Sequence, residues 1–318
     1  MKKVVITRNI NPDMLQKLRK DFEVIVWEAD EQPMPREKFL AETRDAHAVL
    51  TMLSDKVDEE MLQNAPELKV VANLAVGFDN IDLAAAERRE VVIANTPDVL
   101  TETTAELAFT LMLTSARRVL EANQELMDGE WSGWSPYHMA GTDVFGKTIG
   151  IFGMGSIGVS FARRLKGFNC NVLYHNRSES EEARALGAKL TSFESMLERS
   201  DFVLCSAPLT NQTKHTFDKK AFSLMKNSAH FINIGRGAHV VEADLAEAVK
   251  SGEIGGAALD VYENEPIGAD HPFVGLNNMT LLPHIGSASV ATRNNMMNLC
   301  VNNIMEVLNG GQAITPVQ

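Results

Sequence analysis

One pattern constrains this chain more than any other: short blocks rich in Val, Ile and Leu, without polar alternation, are separated by segments of helical spacing almost from end to end. In the first hundred residues the blocks are KVVIT, FEVIVWE, AHAVLTML, LKVVANLAV and VVIANT. From Lys147 the alternation restarts with TIGIF, NCNVLYH, DFVLCSAP, AHFINIG, GGAALDVY and MTLLPH. A strand with one wet face alternates polar and apolar side chains, whereas an unbroken apolar block marks a strand buried on both faces, as in a parallel sheet covered by helices. The repeat therefore predicts two open α/β sheets. A length of 318 residues suits two domains of ordinary size.

The segments between the blocks carry helix signals. In NPDMLQKLRKDF, Asn11 can cap, Pro12 suits the first helical position, and Met14, Leu15 and Leu18 share a face. TETTAELAFTLMLTSARRVLEANQEL predicts one long helix, with Thr103 and Glu106 at capping-box spacing and an apolar first half buried between domains or subunits. DGEWSGWSPYHMAGTDVFG reads as a loop exposing Trp131, Trp134 and Tyr137; a protein–protein surface and a loop folded onto its own domain are both open. The last helix, SVATRNNMMNLCVNNIMEVL, aligns Met297, Cys300, Val301, Ile304 and Leu308 on a stripe that needs a docking surface.

A formal net charge of −12 argues against general binding to nucleic acid or an anionic membrane. Cys170, Cys205 and Cys300 are too far apart for a metal pair or a disulfide framework and read as small core residues. No apolar run approaches the ~18 residues of a membrane span, and KKVVITR is too short in apolar residues for a signal-peptide core. The expected location is cytoplasmic.

GMGSIG, from Gly153 to Gly158, follows the block TIGIF and opens SIGVSFARRLKGF, in which Ile157, Phe161 and Leu165 recur every four residues. That strand–turn–helix setting gives a G-x-G-x-x-G pattern its meaning as a dinucleotide cradle. Gly153 allows the tight turn, Gly155 lets backbone approach a pyrophosphate, and Gly158 lets helix and strand pack closely, while the N–H groups near Ser156 and Ile157 face the anion. An NAD site usually places an acid about 20 residues further on, to bind the ribose hydroxyls. Here that place, at the end of NVLYH, holds His175 and Asn176, then Arg177 and Ser178. A guanidinium fork and a hydroxyl suit the extra phosphate of NADP(H). The alternative is NAD(H), with Arg177 covering its adenine.

Ligands of open α/β sheets bind beyond the carboxyl ends of the strands. Arg236 after HFINIG, Glu265 after GAALDVY and His284 after TLLP occupy such ends. Each alone has an ordinary structural explanation; their joint placement around a nicotinamide is the informative feature.

GKTIGIFGMGSIG, INIGRG, GAALDVYENEP and LLPHIGSAS resemble the motifs of the D-isomer-specific 2-hydroxyacid dehydrogenases, and VANLAVGFDNID with NTPDVLTETTAELAF extends the likeness into the first domain. Within that family the chain is most similar to the glyoxylate/hydroxypyruvate reductases, some of which also reduce 2-ketogluconate. The resemblance implies a Rossmann cofactor domain, residues 100–287, inserted into a flavodoxin-like substrate domain formed by 1–99 and 288–318, with a cleft that closes on binding. It implies that His284 is the general acid, that Glu265 favours the charged imidazole, and that Arg236 binds the 2-oxo acid. Backbone N–H groups of Val76 and Gly77 would hold the carboxylate, with Leu53 and Ser54 near the pocket. Asp260 and Thr104 would contact or position the nicotinamide, and Ala207 and Pro208 would flank the adenosine half. Trp134 sits where related reductases bring a tryptophan from a neighbouring subunit, which implies a homodimer. The same fold also serves a transcriptional corepressor, so a dinucleotide-sensing protein without turnover is the alternative reading.

Overall fold

The structure is a computed structural model that describes residues 1–29 and 32–317. The chain divides into two compact units, Met1–Leu100 with Ser287–Gln318, and Thr101–Gly286. In the first unit, β1 (Lys3–Ile6), β2 (Glu23–Val26), β3 (Ala48–Thr51), β4 (Val70–Asn73) and β5 (Val92–Ala94) form a sheet in the order β2-β1-β3-β4-β5. Every pairing is parallel, and the order is that of flavodoxin. Alternate residues take opposite faces. Val4, Ile6, Ala48, Leu50, Val70 and Ala72 meet Cys300, Val301, Ile304 and Leu308 of the Val290–Leu308 helix. Val5, Val49, Val71 and Ile93 meet Met61, Leu62, Ala85 and Ala86 on the other side. The central strands β3 and β4 are buried throughout, which explains their unbroken apolar runs.

Asn303, fully buried in the last helix, uses its whole amide: Nδ2 donates to the Leu299 carbonyl and the Thr315 hydroxyl, and Oδ1 accepts from the N–H groups of Ile314 and Thr315. The terminal segment so anchored runs along β5, where Pro316 bridges antiparallel to Ala94 and the Val317 N–H donates to the Ile93 carbonyl at 2.8 Å.

In the second unit, β6 (Thr148–Phe152), β7 (Asn171–His175), β8 (Lys189–Leu190), β9 (Phe202–Cys205), β10 (His230–Asn233), β11 (Gly256–Leu259) and β12 (Met279–Leu281) form a parallel sheet in the order β12-β11-β10-β9-β6-β7-β8. Counting β6 as the first strand, this is the 3-2-1-4-5-6 Rossmann order with one strand added, and the order reverses between β6 and β9. The Thr101–Ala116 and Ser156–Arg164 helices contribute to the core on one face, and the Phe193–Arg199, Lys219–Ser223 and Glu242–Ser251 helices to that on the other. No helix among the described residues is long and apolar enough to cross a membrane.

Three expectations need correction. The segment from Thr101 is not one helix: it ends at Ala116, and a second helix, Val119–Met127, starts after Arg118 in the left-handed region at φ 52°. The cause is tertiary. The Ala116 carbonyl, which would continue the helix, accepts instead from the Thr142 N–H at 2.7 Å, and Gly141 runs so close that a Cβ there would lie 2.2 Å from the same oxygen. Thr103 is not a cap, because the helix starts at Thr101; Glu106 pairs with Arg164 at 3.4 Å rather than closing a capping box. The apolar half is covered by its own unit: Ala105, Ala108, Leu111 and Met112 pack into that core, Phe109 meets Phe168 at 5.2 Å, and the Ser115 hydroxyl meets His230 Nδ1 at 2.8 Å.

Candidate active site

In the second unit the residues singled out by sequence line one edge of one sheet in strand order. Ile285 and His284 follow β12; Asp260 and Glu265 follow β11; Arg236 follows β10; Ala207 and Pro208 follow β9; Gly153 to Gly158 follow β6; Asn176, Arg177 and Ser178 follow β7. Neighbouring strands lie roughly 4.8 Å apart, so the five steps from β7 to β12 span about 24 Å, suited to an elongated ligand with two different ends.

The glycine loop sits at the switch point. Gly153 has φ +94°, and a Cβ on it would lie 2.4 Å from the Ala207 nitrogen, so the β6 and β9 loops touch through glycine. A Cβ on Gly158 would meet the Gly153 carbonyl at 2.6 Å, whereas one on Gly155 would meet nothing within 4 Å. Thus the first and third glycines are fixed by packing, and the middle one faces open space. Gly155 caps the Ser156–Arg164 helix without a side-chain cap, and Ser156 and Ile157 N–H groups have no acceptor among the described residues. Unsatisfied helix N–H groups beside a bare backbone surface fit a pyrophosphate.

Asn176 is spent locally. Its Oδ1 accepts the Met154 N–H at 3.1 Å, which locks the glycine loop to the end of β7. Arg177 and Ser178 are exposed, and no hydrogen bond or ion pair among the described residues engages either side chain.

At the other end, His284 Nδ1 lies 2.7 Å from Glu265 Oε2, with the two side chains 31% and 33% exposed. Glu265 Oε1 accepts the Tyr262 N–H at 2.9 Å. Burial alone would raise the Glu265 carboxyl, but the hydrogen bond and charge of His284, the Tyr262 N–H and the charge of Arg236 together hold it below the usual carboxylate range. An ionised carboxylate only accepts, so Nδ1 carries hydrogen and Nε2 is the atom left to exchange a proton. Arg236 comes close because of its neighbour: a Cβ on Gly237 would lie 1.8 Å from the Tyr262 carbonyl carbon, so only glycine lets the β10 loop press on the loop bearing Glu265.

Asp260 is 1% exposed and grips the backbone just after His284, its two oxygens accepting the N–H groups of Ile285 and Gly286 at 2.7 Å each. Thr104, also buried, flanks Gly286: a Cβ there would lie 3.1 Å from Asp260 Oδ2 and 3.5 Å from Thr104 Cγ2. Asp260 therefore holds the turn that presents His284, and Thr104 lies beside that turn. Sequence reasoning did not find Tyr262, whose hydroxyl donates to the Leu282 carbonyl at 3.0 Å and so ties the Glu265 loop to the approach to His284. A tyrosine ending an apolar strand carries no signal that separates it from core.

Leu53, Ser54, Val76 and Gly77 belong to the first unit and collect at its own carboxyl edge. Asn95 Nδ2 donates to the Val76 carbonyl at 2.8 Å and Asn73 Nδ2 to the Gly77 carbonyl at 2.9 Å, while the N–H groups of Val76 and Gly77 have no acceptor among the described residues. Ser54 Oγ accepts from Arg8 Nη2 at 3.0 Å, and buried Asp55 accepts from the Thr7 hydroxyl and the Met52 N–H. The asparagines were missed because a polar residue closing a buried strand looks like a turn. Trp134 is 83% exposed, with no hydrogen bond or ring contact among the described residues. No cluster of His, Cys, Asp and Glu among the described residues could hold a metal ion.

A family model described as D-isomer specific 2-hydroxyacid dehydrogenase, NAD binding domain, matches residues 109–286. A glyoxylate reductase of Thermococcus kodakarensis is 45% identical over 97% of this chain and 93% of its own. Among solved structures, the TT0316 protein of Thermus thermophilus is similar with a TM-score of 0.94 and 36% identity, covering 99% of this chain and 100% of its own. An NADPH-dependent glyoxylate/hydroxypyruvate reductase of Sinorhizobium meliloti, in complex with NADP and malonate, aligns with a TM-score of 0.87 and 35% identity over 99% of this chain and 96% of its own.

Burial pushes the Asp260 carboxyl up to about 6, against the Ile285 N–H, the charge of His284 and the Gly286 N–H. A carboxyl raised in the folded state contributes stability that is fully present below its unfolded pKa of about 3.9 and is lost as pH rises through the folded value, here on the order of 3 kcal/mol. Melting curves of the wild type and Asp260→Asn should therefore show the wild type losing ground to the variant between about pH 4 and pH 7. A gap independent of pH would mean that Asp260 titrates as an ordinary acid.

Proposed function

The chain belongs to the D-isomer specific 2-hydroxyacid dehydrogenase family, and on that premise we propose that it reduces a small 2-oxo acid to the D-2-hydroxy acid with a nicotinamide dinucleotide. The observation that carries this reading is the His284–Glu265 pair at 2.7 Å, on the sheet edge that also bears Arg236 and the glycine cradle. Glyoxylate and hydroxypyruvate are the favoured substrates, by analogy with the named relatives, with 2-ketogluconate next.

The bound dinucleotide supplies the hydride. The protein's part is to stabilise the charge that builds on the carbonyl oxygen and to deliver a proton to it. Arg236 presents a guanidinium to that oxygen and to the substrate carboxylate. His284 gives up the Nε2 proton in reduction and takes it back in the reverse direction, while Glu265 offsets the imidazolium charge and fixes the ring. Val76 and Gly77 offer two N–H groups for the carboxylate, with Leu53 and Ser54 bounding the substituent. The open amides at Ser156 and Ile157 take the pyrophosphate, with Ala207 and Pro208 flanking the adenosine.

NADP(H) is the preferred cofactor in this proposal. Neither Asn176, Arg177 nor Ser178 carries a negative charge that would repel a 2′-phosphate, and Arg177 is uncommitted to any acid among the described residues. The working form is a homodimer. Val119, Leu120, Leu126, Met127, Trp131, Trp134, Tyr137 and Phe145 are all exposed, and the Val119–Met127 helix buries none of its residues. An apolar surface this continuous in sequence is suited to a second copy of the chain, with Trp134 reaching the partner's substrate site.

Turnover is tested with a panel of 2-oxo acids, each assayed with NADPH and NADH. Reduction of glyoxylate or hydroxypyruvate is expected, and His284→Ala should lower kcat by at least ~100-fold with cofactor affinity kept. Tight dinucleotide binding without turnover of any 2-oxo acid would favour the sensing protein instead. Arg177→Ala should weaken NADPH far more than NADH in a fluorescence titration; an equal loss for both removes the 2′-phosphate role. Sedimentation should show a dimer, and Trp134→Ala should raise the KM for the oxo acid or weaken dimerisation. If it alters neither, Trp134 has no role across subunits.

A further inference from the structure

The stretch between β11 and β12 that carries Glu265 has no regular secondary structure, yet it must hold a carboxylate oxygen against His284. A side chain from another element holds it at two points. Glu242 opens the Glu242–Ser251 helix; its Oε1 accepts the Glu263 N–H at 2.9 Å and its Oε2 meets His271 Nε2 at 3.2 Å. These contacts lie on either side of Glu265 in sequence, so one carboxylate staples both flanks of the segment. Glu242 and His271 side chains are only 16% and 15% exposed.

The imidazole is built for this role. Its Nδ1 accepts the Phe273 N–H at 3.4 Å, which leaves Nε2 as the donor to Glu242. Its ring sits edge-on to Tyr262 at 6.0 Å and against Phe273 at 4.9 Å. Tyr262 in turn supplies the N–H that holds Glu265 Oε1. A further pair, His215 with Glu263 at 2.9 Å, ties the same segment, but with side chains 41% and 35% exposed it is loosened by water.

We propose that Glu242, with His271, is a positioning residue for the Glu265–His284 pair: it touches neither substrate nor cofactor and acts by fixing the segment that carries Glu265. The proposal rests on the reading above that this pair serves turnover. Displacements on the order of 1 Å in such a pair cost about 100-fold in rate, so a loop in this position needs a brace.

The test compares Glu242→Ala, Glu242→Gln, His271→Ala and His271→Gln in the full chain. Glu242→Ala should lower kcat by about 10- to 100-fold while the KM for the oxo acid and the affinity for the dinucleotide stay near wild type. Glu242→Gln keeps one accepting oxygen and should fall between. His271→Gln can replace the imidazole donor with its amide N–H and should recover most of what His271→Ala loses. A second readout is independent of turnover: the low-field proton resonance of the His284–Glu265 hydrogen bond should disappear in Glu242→Ala and survive in His271→Gln. If Glu242→Ala does not fold, the two glutamine variants and His271→Ala decide by the same measures. An unchanged resonance and kcat, or parallel losses of kcat and cofactor affinity, would overturn the proposal. A wild type that reduces no 2-oxo acid would sink the functional reading instead, and the resonance would still judge the brace.

Discussion

Within each sheet all strands run in one direction, and much of what the molecule can do follows from that. Two parallel neighbours cannot be joined by a tight turn; the chain must cross back over a face, and the crossovers bury both sides of the sheet. The carboxyl ends of one sheet then emerge at the same margin of that sheet. Residues that are distant in sequence, from Gly153 to His284, are brought into a row there without any of them having to be close along the chain. Close approach within that row depends on missing side chains: Gly153 against Ala207, and Gly237 against Tyr262.

The buried runs made the strands readable, because a strand covered on both faces has nowhere to put polar residues. The exception proves instructive: β8 is two exposed residues, Lys189 and Leu190, and has no such signature. The helix break at Arg118 was invisible because its cause, the Thr142 N–H bound to Ala116, lies in a different segment. At the site, residue type and motif pointed to the glycine loop, Arg236, Glu265 and His284, but not to how neighbours hold them. Asp260 reaches amides 25 and 26 positions further along, and Glu242 looks like surface charge until the fold brings it to Glu263 and His271 in the Glu265 segment. Open amides, as at Val76 and Gly77, have almost no side-chain signal.

A chain of net charge −12 can still offer a place for anions because the attraction is local. It comes from helix and loop N–H groups whose carbonyls are already committed and from single guanidinium groups. The same locality separates two neighbouring acids. Glu265, facing His284 and Arg236, is drawn toward its charged form, while Asp260, sealed in the turn beside it, is pushed toward the neutral one. Divergent environments let one small region hold both a permanent counter-charge and a proton-sensitive anchor.

The strand-like return of the C-terminal segment along β5 has a consequence for how the molecule behaves in a crowd. A bare outer strand offers a row of unpaired amides on which other polypeptides can template. Here that margin is occupied by residues anchored through Asn303, and the covering segment includes Pro316, which has no N–H to donate outward. The fold thereby trades an adhesive border for an inert one, keeping unwanted fibril-like stacking away from this side of the sheet.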